Sequence, residues 1–319
     1  MNDFLFSINV TLPIFLVMVL GWFLKQIGML DDHFVTVANK FNFKVTLPFM
    51  VFRDLSAVNI REVFDLNFVL FCAIASSVCF WVIWGGAKLF LKDKTITITG
   101  AFVQASFRSS AAVMGLAFIN NIYGPSAMGP MMIIGAVPLY NIYSVLVLTY
   151  EAEEEEGTVK DFGKVRQACI NIVKNPIIIS IVLGVVAALS GIDFPMIIDK
   201  TVNSVSALAT PLALICLGAG FEGRKAIAKI KPTLWASAIK LVIQPLIFVP
   251  IAAAMGFGGE KMIAILIMLA APATPSCYIM ARNMKNDGVL TASIVVVTTL
   301  LAAVTLTGWI FALKTIRII

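Results

Sequence analysis

Ala270-Ala271-Pro272-Ala273-Thr274-Pro275-Ser276-Cys277-Tyr278 interrupts a run of otherwise apolar residues, and its two prolines decide how the chain reads. Proline has no amide hydrogen and its ring clashes with the carbonyl four residues back, so two prolines three apart cannot lie in an intact helix. The surrounding residues, 260–282, have the length and hydropathy of a membrane-spanning helix. Non-helical backbone at that depth survives only where it is buried in protein or lines a wet cavity. A second stretch reads the same way. Gln104-Ala105-Ser106-Phe107-Arg108-Ser109-Ser110-Ala111-Ala112-Val113-Met114-Gly115 places an arginine, hydroxyls and a glycine inside another apolar segment, where polar groups are costly.

The composition agrees that the solvent is lipid. Of 319 residues, 60% are hydrophobic and only 13% charged, and the mean hydropathy is +0.95. Such a chain lacks the polar residues to cover a soluble fold, which excludes a soluble globular enzyme and a disordered chain. Continuous apolar runs, rather than short alternating ones, indicate helices and not a barrel. Ten segments follow: 6–27, 34–53, 66–91, 99–120, 126–150, 168–190, 200–221, 232–255, 260–282 and 289–313. The fold class is an all-α polytopic membrane protein. The start, Met1 to Phe6, has no basic region, so the first segment is expected to be a retained helix rather than a signal peptide.

The net charge of +6 suits loop anchoring better than nucleic acid, since no basic stripe is interleaved with aromatics. With the N-terminus outside, the cytoplasmic loops receive 16 Lys and Arg and the outer ones 6. This asymmetry favours both termini outside, with the plasma (inner) membrane as the expected location. Cys72, Cys79, Cys169, Cys216 and Cys277 sit singly in apolar surroundings, and His33 is the one histidine. No metal site or cofactor is expected from them. Nor is there an ATP-binding loop or a catalytic constellation, so an enzyme is not expected.

The two halves share a pattern. Pro13-Ile14, Val19-Leu20-Gly21, Gly28 and Pro48 recur 163 positions later as Pro176-Ile177, Val182-Leu183-Gly184, Gly191 and Pro211, seven identities in 36 positions. The chain then divides into a first five-helix repeat, 1–150, a hydrophilic cytoplasmic linker, 151–167, and a second five-helix repeat, 168–319. An odd number of helices per repeat inverts the second half, a construction typical of secondary transporters. Broken helices at matching places in two such halves point to the substrate site.

Half-helix N-termini there present free N–H groups and positive dipole ends, which suit a carboxylate. Arg108 reads two ways, as a bidentate partner for that anion or as an anchor snorkelling to the cytoplasmic face. Lys240, in segment eight, reads as a snorkelling or helix-packing lysine. Tyr140, Asn141 and Tyr143 of segment five are candidates for the same cavity, with interfacial aromatics as the alternative for the two tyrosines. No acidic residue lies at the centre of a segment; Asp54, Glu151 and Glu222 fall at ends. The candidate substrate-binding residues are thus Arg108, Ser109, Ser110, Gly115, Asn141, Tyr143, Pro272, Ala273, Thr274, Pro275 and Ser276.

At these residues the sequence resembles the auxin efflux carrier family, which includes plant PIN carriers and bacterial malate and malonate permease-like members. Val113-Met114-Gly115 followed by Tyr123-Gly124 has the spacing of the plant motif. Ser106-Phe107-Arg108-Ser109-Ser110 and Pro138-Leu139-Tyr140-Asn141 resemble the bacterial branch more closely, and Asn175-Pro176, Ala209-Thr210-Pro211-Leu212-Ala213 and Leu217-Gly218 are further family-like words. The resemblance implies a 5+5 inverted fold like that of bile-acid symporters. Helices 1, 2, 6 and 7 would be the scaffold, helices 3–5 and 8–10 the mobile domain, and helices four and nine would cross at the site. By position, Ser110 stands where plant members have a crossover asparagine, and Tyr143 where they have a substrate-side tyrosine. Ala117 replaces the plant proline, and segment three has no match to the plant acidic residue.

The expected function is secondary active transport of small organic anions, such as malate, malonate or an auxin-like acid, by an elevator motion. A membrane anion receptor that does not transport is the alternative from another class. The expected partners are the anion, the lipid bilayer, H+ or Na+ as a coupling ion, and a second copy of the chain through the scaffold. Nucleic acid is not among them.

Overall fold

The structure is a computed structural model that describes residues 2–57, 65–91, 96–111, 116–123, 128–152, 170, 172–192 and 194–319. Among these residues all regular elements are helical. In the first half they are α1 (Asn2–Gln26), α2 (Asp32–Phe41), α3 (Leu47–Ser56), α4 (Leu66–Phe90), α5 (Ile96–Phe107), α6 (Leu116–Tyr123) and α7 (Met128–Tyr150). In the second they are α8 (Pro176–Ser190), α9 (Met196–Ala207), α10 (Ala209–Ala219), α11 (Gly223–Ala228), α12 (Ile230–Ala238), α13 (Gln244–Ala254), α14 (Gly259–Ala270), α15 (Ser276–Asn283) and α16 (Gly288–Thr315).

Six described helical stretches are long and apolar enough to cross a membrane: Ile8–Gln26, Leu66–Phe90, Met128–Tyr150, Met196–Ala219, Ile230–Ala254 and Gly288–Thr315. The other four expected spans depart from that form for visible reasons. α2 and α3 are joined by a π-helical turn, Asn42–Thr46, just ahead of Pro48. The wider turn accommodates a ring that cannot bond the carbonyl four residues back. α8 has 15 residues. Segments four and nine are each two shorter helices. Leu16, Leu20 and Phe23 of α1, and Val182, Val186 and Leu189 of α8, are exposed along helical rows. Rows of large apolar groups on the outside are what a lipid-facing surface requires.

α1 packs against α10, and α3 against α8. Both crossings are close because each has a glycine at the contact. A Cβ on Gly21 would lie 2.3 Å from the Ile215 carbonyl oxygen, and one on Gly184 would lie 3.1 Å from the Phe52 carbonyl oxygen. Gly21 and Gly184 are 163 positions apart, as are Phe52 and Ile215. Gly28 and Gly191, again 163 apart, end their helices with φ of +77° and +62°, a conformation in which a side chain is strained. The broken helices keep the same offset: α5 and α14 begin at Ile96 and Gly259 and end at Phe107 and Ala270.

α4–α7 and α11–α16 form the other group, with α4 on α7 and α16 on α12, α15 and α5. α16 also leans on α1. The second group is clasped at both ends by ion pairs. Lys261 at the start of α14 reaches Asp65 at 2.5 Å, and Lys229 pairs with Asp287. Both aspartates are also N-caps, accepting from Phe68 N at 3.0 Å and Leu290 N at 2.9 Å. Nearly all described side-chain hydrogen bonds run within one group. Asn283 Nδ2, which donates to the Asn39 carbonyl at 3.2 Å, crosses between them. Glu151, expected to open the solvated linker, is buried and accepts from Trp84 Nε1 at 2.7 Å. Residues 153–167 of that linker lie outside the described residues.

Two outcomes follow from this packing. Gly21→Ala must displace backbone and should cost at least about 1–3 kcal/mol, whereas Gly86→Ala, with nothing within 4 Å of the added carbon, should leave thermal stability unchanged. Lys261, and then the Phe68 amide, hold the Asp65 carboxyl below the usual carboxylate range. A depressed carboxyl contributes stability above its unfolded value that is lost as pH falls through the folded one. Asp65→Asn should therefore lower the melting temperature near neutral pH. Melting curves of the two proteins should converge below about pH 4, as the wild-type carboxyl takes up its proton.

Candidate functional site

The site begins with a missing hydrogen. Pro272 has no N–H for the carbonyl of Met268, one helical turn earlier. Ser109 Oγ donates to that oxygen at 2.5 Å, and Tyr140 Oη donates at 2.9 Å. Pro275 likewise cannot serve the Ala271 carbonyl, which lies 3.4 Å from Ser109 Oγ. Farther on, Ser110 N donates to the Pro272 carbonyl at 2.9 Å, and Ala273 N donates to Thr298 Oγ1 at 3.2 Å. Thus the break after α5 and the break after α14 supply each other's backbone needs. This is the exchange that apolar surroundings demand.

Arg108 leaves the end of α5 with its amide still bonded to the Gln104 carbonyl at 3.1 Å. Its side chain is buried and does not snorkel. Nη2 donates to Asn141 Oδ1 at 2.9 Å, and Nη1 lies 2.8 Å from Met280 Sδ and 3.5 Å from Ser144 Oγ. No carboxylate is among these partners. A guanidinium has five donors and always carries its charge. Here it bonds an amide oxygen, a thioether and a distant hydroxyl, and no carboxylate.

Lys240 packs between helices and does not snorkel. It does not reach an interface but is fully buried, in a π-helical turn, Ile239–Ile243, between α12 and α13. Nζ donates to the Phe107 carbonyl at 3.0 Å, and Gln244 Nε2 donates to the Ser106 carbonyl at 2.6 Å. The two side chains satisfy the C-terminal end of α5, which its break would otherwise leave bare.

Arg108, Ser109, Ser110, Asn141 and Thr274 come together around a cavity of about 30 Å³, with Met50, Asp54 and Tyr140 among its other walls. That volume holds about one water and is far below the ~300–1,000 Å³ of small-molecule sites. As it stands, the cavity has no room for a carboxylate. Pro272 and Ala273 form the buried turn behind it, and Ser276, which begins α15, lies 3.2 Å through its Oγ from Thr274 Oγ1. Tyr143 does not line the cavity. Two residues beyond Asn141 is about 200° around a helix, so its hydroxyl donates to Ser77 Oγ at 2.9 Å and its ring stacks on Phe80 at 4.4 Å. Gly115 and Met114 lie outside the described residues.

A larger cavity, about 480 Å³, lies beside the crossing, between α3, α9 and α7. It is lined by Phe52, Phe194, Ile198 and Pro130 as well as by Arg53 and Asp54. Asp54 borders both cavities. Arg53 holds it at 2.6 Å and also donates to Ser206 Oγ of α9 at 3.1 Å. The larger space has room for a ligand, but the buried charge and the broken backbone are at the smaller one.

Residues 6–310 match the model of a family described as membrane transport protein, that of the auxin efflux carriers. The chain belongs to the auxin efflux carrier family. It is 23% identical over 281 residues to the uncharacterized transporter YfdV of Escherichia coli K12, covering 87% of this chain and 88% of that one. It is 21% identical over 316 residues to the uncharacterized transporter MJ1031 of Methanocaldococcus jannaschii, covering 95% and 98%. An uncharacterized transporter of Methanothermobacter thermautotrophicus is similar at 21% over 312 residues, covering 96% and 98%. The carrier is a multi-pass membrane protein of a transporter family.

Asp54, Met280 and Ser144 were not among the residues expected at the site. Asp54 sits near a segment end in sequence, but α3 continues to Ser56 and brings it to the cavity wall. Met280 and Ser144 carry no signal, because a thioether and a serine in an apolar helix are ordinary packing groups. The backbone exchange gives a direct check. Ser109→Ala with Tyr140→Phe leaves the Met268 carbonyl unpartnered and should destabilise the carrier by about 1–3 kcal/mol. Each single change, with one donor remaining, should cost clearly less in thermal unfolding.

Proposed function

We propose that this carrier moves small organic anions, carboxylates such as malate, malonate or an auxin-like acid, by secondary active transport. The observation that carries this reading is Arg108, a buried cation at the crossing of two broken helices with no carboxylate among its partners. A buried charge without a counter-charge is costly, and an anionic substrate supplies one. The start of α15 adds a helix N-terminus without a side-chain cap at the same place.

The fold supports an elevator motion of two helix groups. The matched glycine crossings, matched helix ends and matched breaks, all 163 residues apart, support ten spans in a 5+5 inverted arrangement. Two similar halves that exchange conformations turn an outward-facing site inward. Side-chain hydrogen bonds concentrate within each group, and Asn283 to Asn39 is a bond that sliding would break. The cavity of about 480 Å³ between α3, α9 and α7 is a vestibule that leads past Asp54 to the crossing. The basic asymmetry of the loops supports both termini outside, in the plasma membrane.

Counterflow in proteoliposomes loaded with malate, malonate or indole-acetate tests the reading. Exchange of one of them is expected, and no exchange of any carboxylate by well-folded protein would refute it. Arg108→Met should weaken binding by on the order of 10–100-fold, the worth of a charged hydrogen bond. It should not lower thermal stability, since an apolar side chain replaces an uncompensated charge. Ser110→Leu and Thr274→Leu, which overfill the small cavity, should also reduce binding, at a cost in stability of about 1–3 kcal/mol that leaves the carrier folded.

A further inference from the structure

Lys240 is the second intramembrane cation, and anion binding alone does not account for it. It does not line the cavity at the crossing. Its side chain is fully buried, and the acceptor of its Nζ is the Phe107 carbonyl, whose peptide continues into Arg108. Among the described residues no carboxylate bonds its Nζ. α4 contributes the Cys79 thiol and α15 the Cys277 thiol, both within electrostatic reach of Lys240, and Cys277 is also within reach of Arg108. α5 offers the Phe107 carbonyl. α14 and α16 carry titratable groups only in end turns, Glu260 and Lys261 in one and Lys314 in the other. Two cations thus share one broken helix end, and one of them, the lysine, is able to lose its charge.

We infer that Lys240 carries the coupling proton, taking it up when an anion binds at Arg108 and releasing it when the anion leaves. This deepens the transport reading above and rests on it. Without the anion, full burial away from water disfavours the charged form of the lysine, and the neutral amine keeps its bond to the Phe107 carbonyl. An anion on Arg108 brings a negative charge to the same buried helix end, where it stabilises a positive charge on Lys240, so Nζ accepts a proton from water and becomes an ammonium. On the other side of the membrane the anion departs, and Nζ returns the proton to water. No bond to carbon forms or breaks, and one proton travels with each anion. The partner ion is therefore H+ rather than Na+, because the buried group at the crossing is a base and not a cluster of anionic oxygens.

The test separates this from a purely structural cap. Purified carrier in weak buffer with a pH indicator is mixed with malonate, over about pH 5 to 10, the span lysines cover between burial and water. Wild type should take up about one proton per malonate bound at some pH in that span. Lys240→Arg keeps a cation on the Phe107 carbonyl but cannot titrate, and Lys240→Met removes the charge. Both variants, checked for monodispersity and melting temperature, should bind malonate without proton uptake. Reconstituted, Lys240→Arg should still exchange malonate in counterflow but should not accumulate it under a pH gradient. Unchanged proton uptake by Lys240→Arg would overturn the inference, as would wild-type exchange of malonate with no proton taken up at any pH. Absence of exchange by wild type with malonate, malate and indole-acetate would instead overturn the transport reading on which it rests.

Discussion

Everything at the crossing depends on one backbone oxygen. Met268 loses its helical donor because Pro272 has none to give, and lipid offers no replacement. Ser109 from the break after α5 and Tyr140 from α7 take its place. A defect in one helix thus becomes the joint that fixes three elements together. The amide of Ser110 on the Pro272 carbonyl completes the exchange in the other direction. Because the two breaks are satisfied by each other, they form one joint that fixes the geometry of the groups between them.

The same joint explains why charge is tolerated there. α5 ends where Arg108 begins, and a helix C-terminus is the negative end of a dipole. Lys240 and Gln244 cover its last carbonyls, while the Arg108 side chain turns toward Asn141 and Met280. The helix end offsets part of the cost of the buried basic groups, but no carboxylate bonds Arg108. The Arg108 charge is what a transported anion would balance, and this links the electrostatics to the proposed carrier cycle rather than to a static fold.

Much of this was legible in the sequence because the decisive residues are conspicuous by type. Prolines three apart, an arginine among apolar residues and matched glycines each carry a local physical meaning, and the breaks fall where Arg108 and Pro272 placed them. What was not legible depends on rotation and reach. Tyr143 and Tyr140 look alike in sequence, yet three positions of helix direct one to Ser77 and the other to the Met268 carbonyl. Asp54 looked like a segment-end residue because helix length past a span cannot be read from hydropathy alone. Lys240 looked able to snorkel, but a long side chain goes to the nearest strong acceptor, and a broken helix provided one inside. The ten expected spans also differ in kind, since proline and polar residues in the second, fourth and ninth segments replace uniform helix with π turns and breaks.

The most direct measurement is a cryo-electron microscopy map of the carrier with saturating malonate in lipid nanodiscs. The account predicts density for the anion between the Arg108 guanidinium, Ser110 and Thr274, with the cavity there enlarged and the Ser109 and Tyr140 contacts to Met268 intact. Malonate found only beside Arg53 in the outer cavity, with Arg108 still bonded to Asn141 and Met280 and the crossing closed, would contradict it.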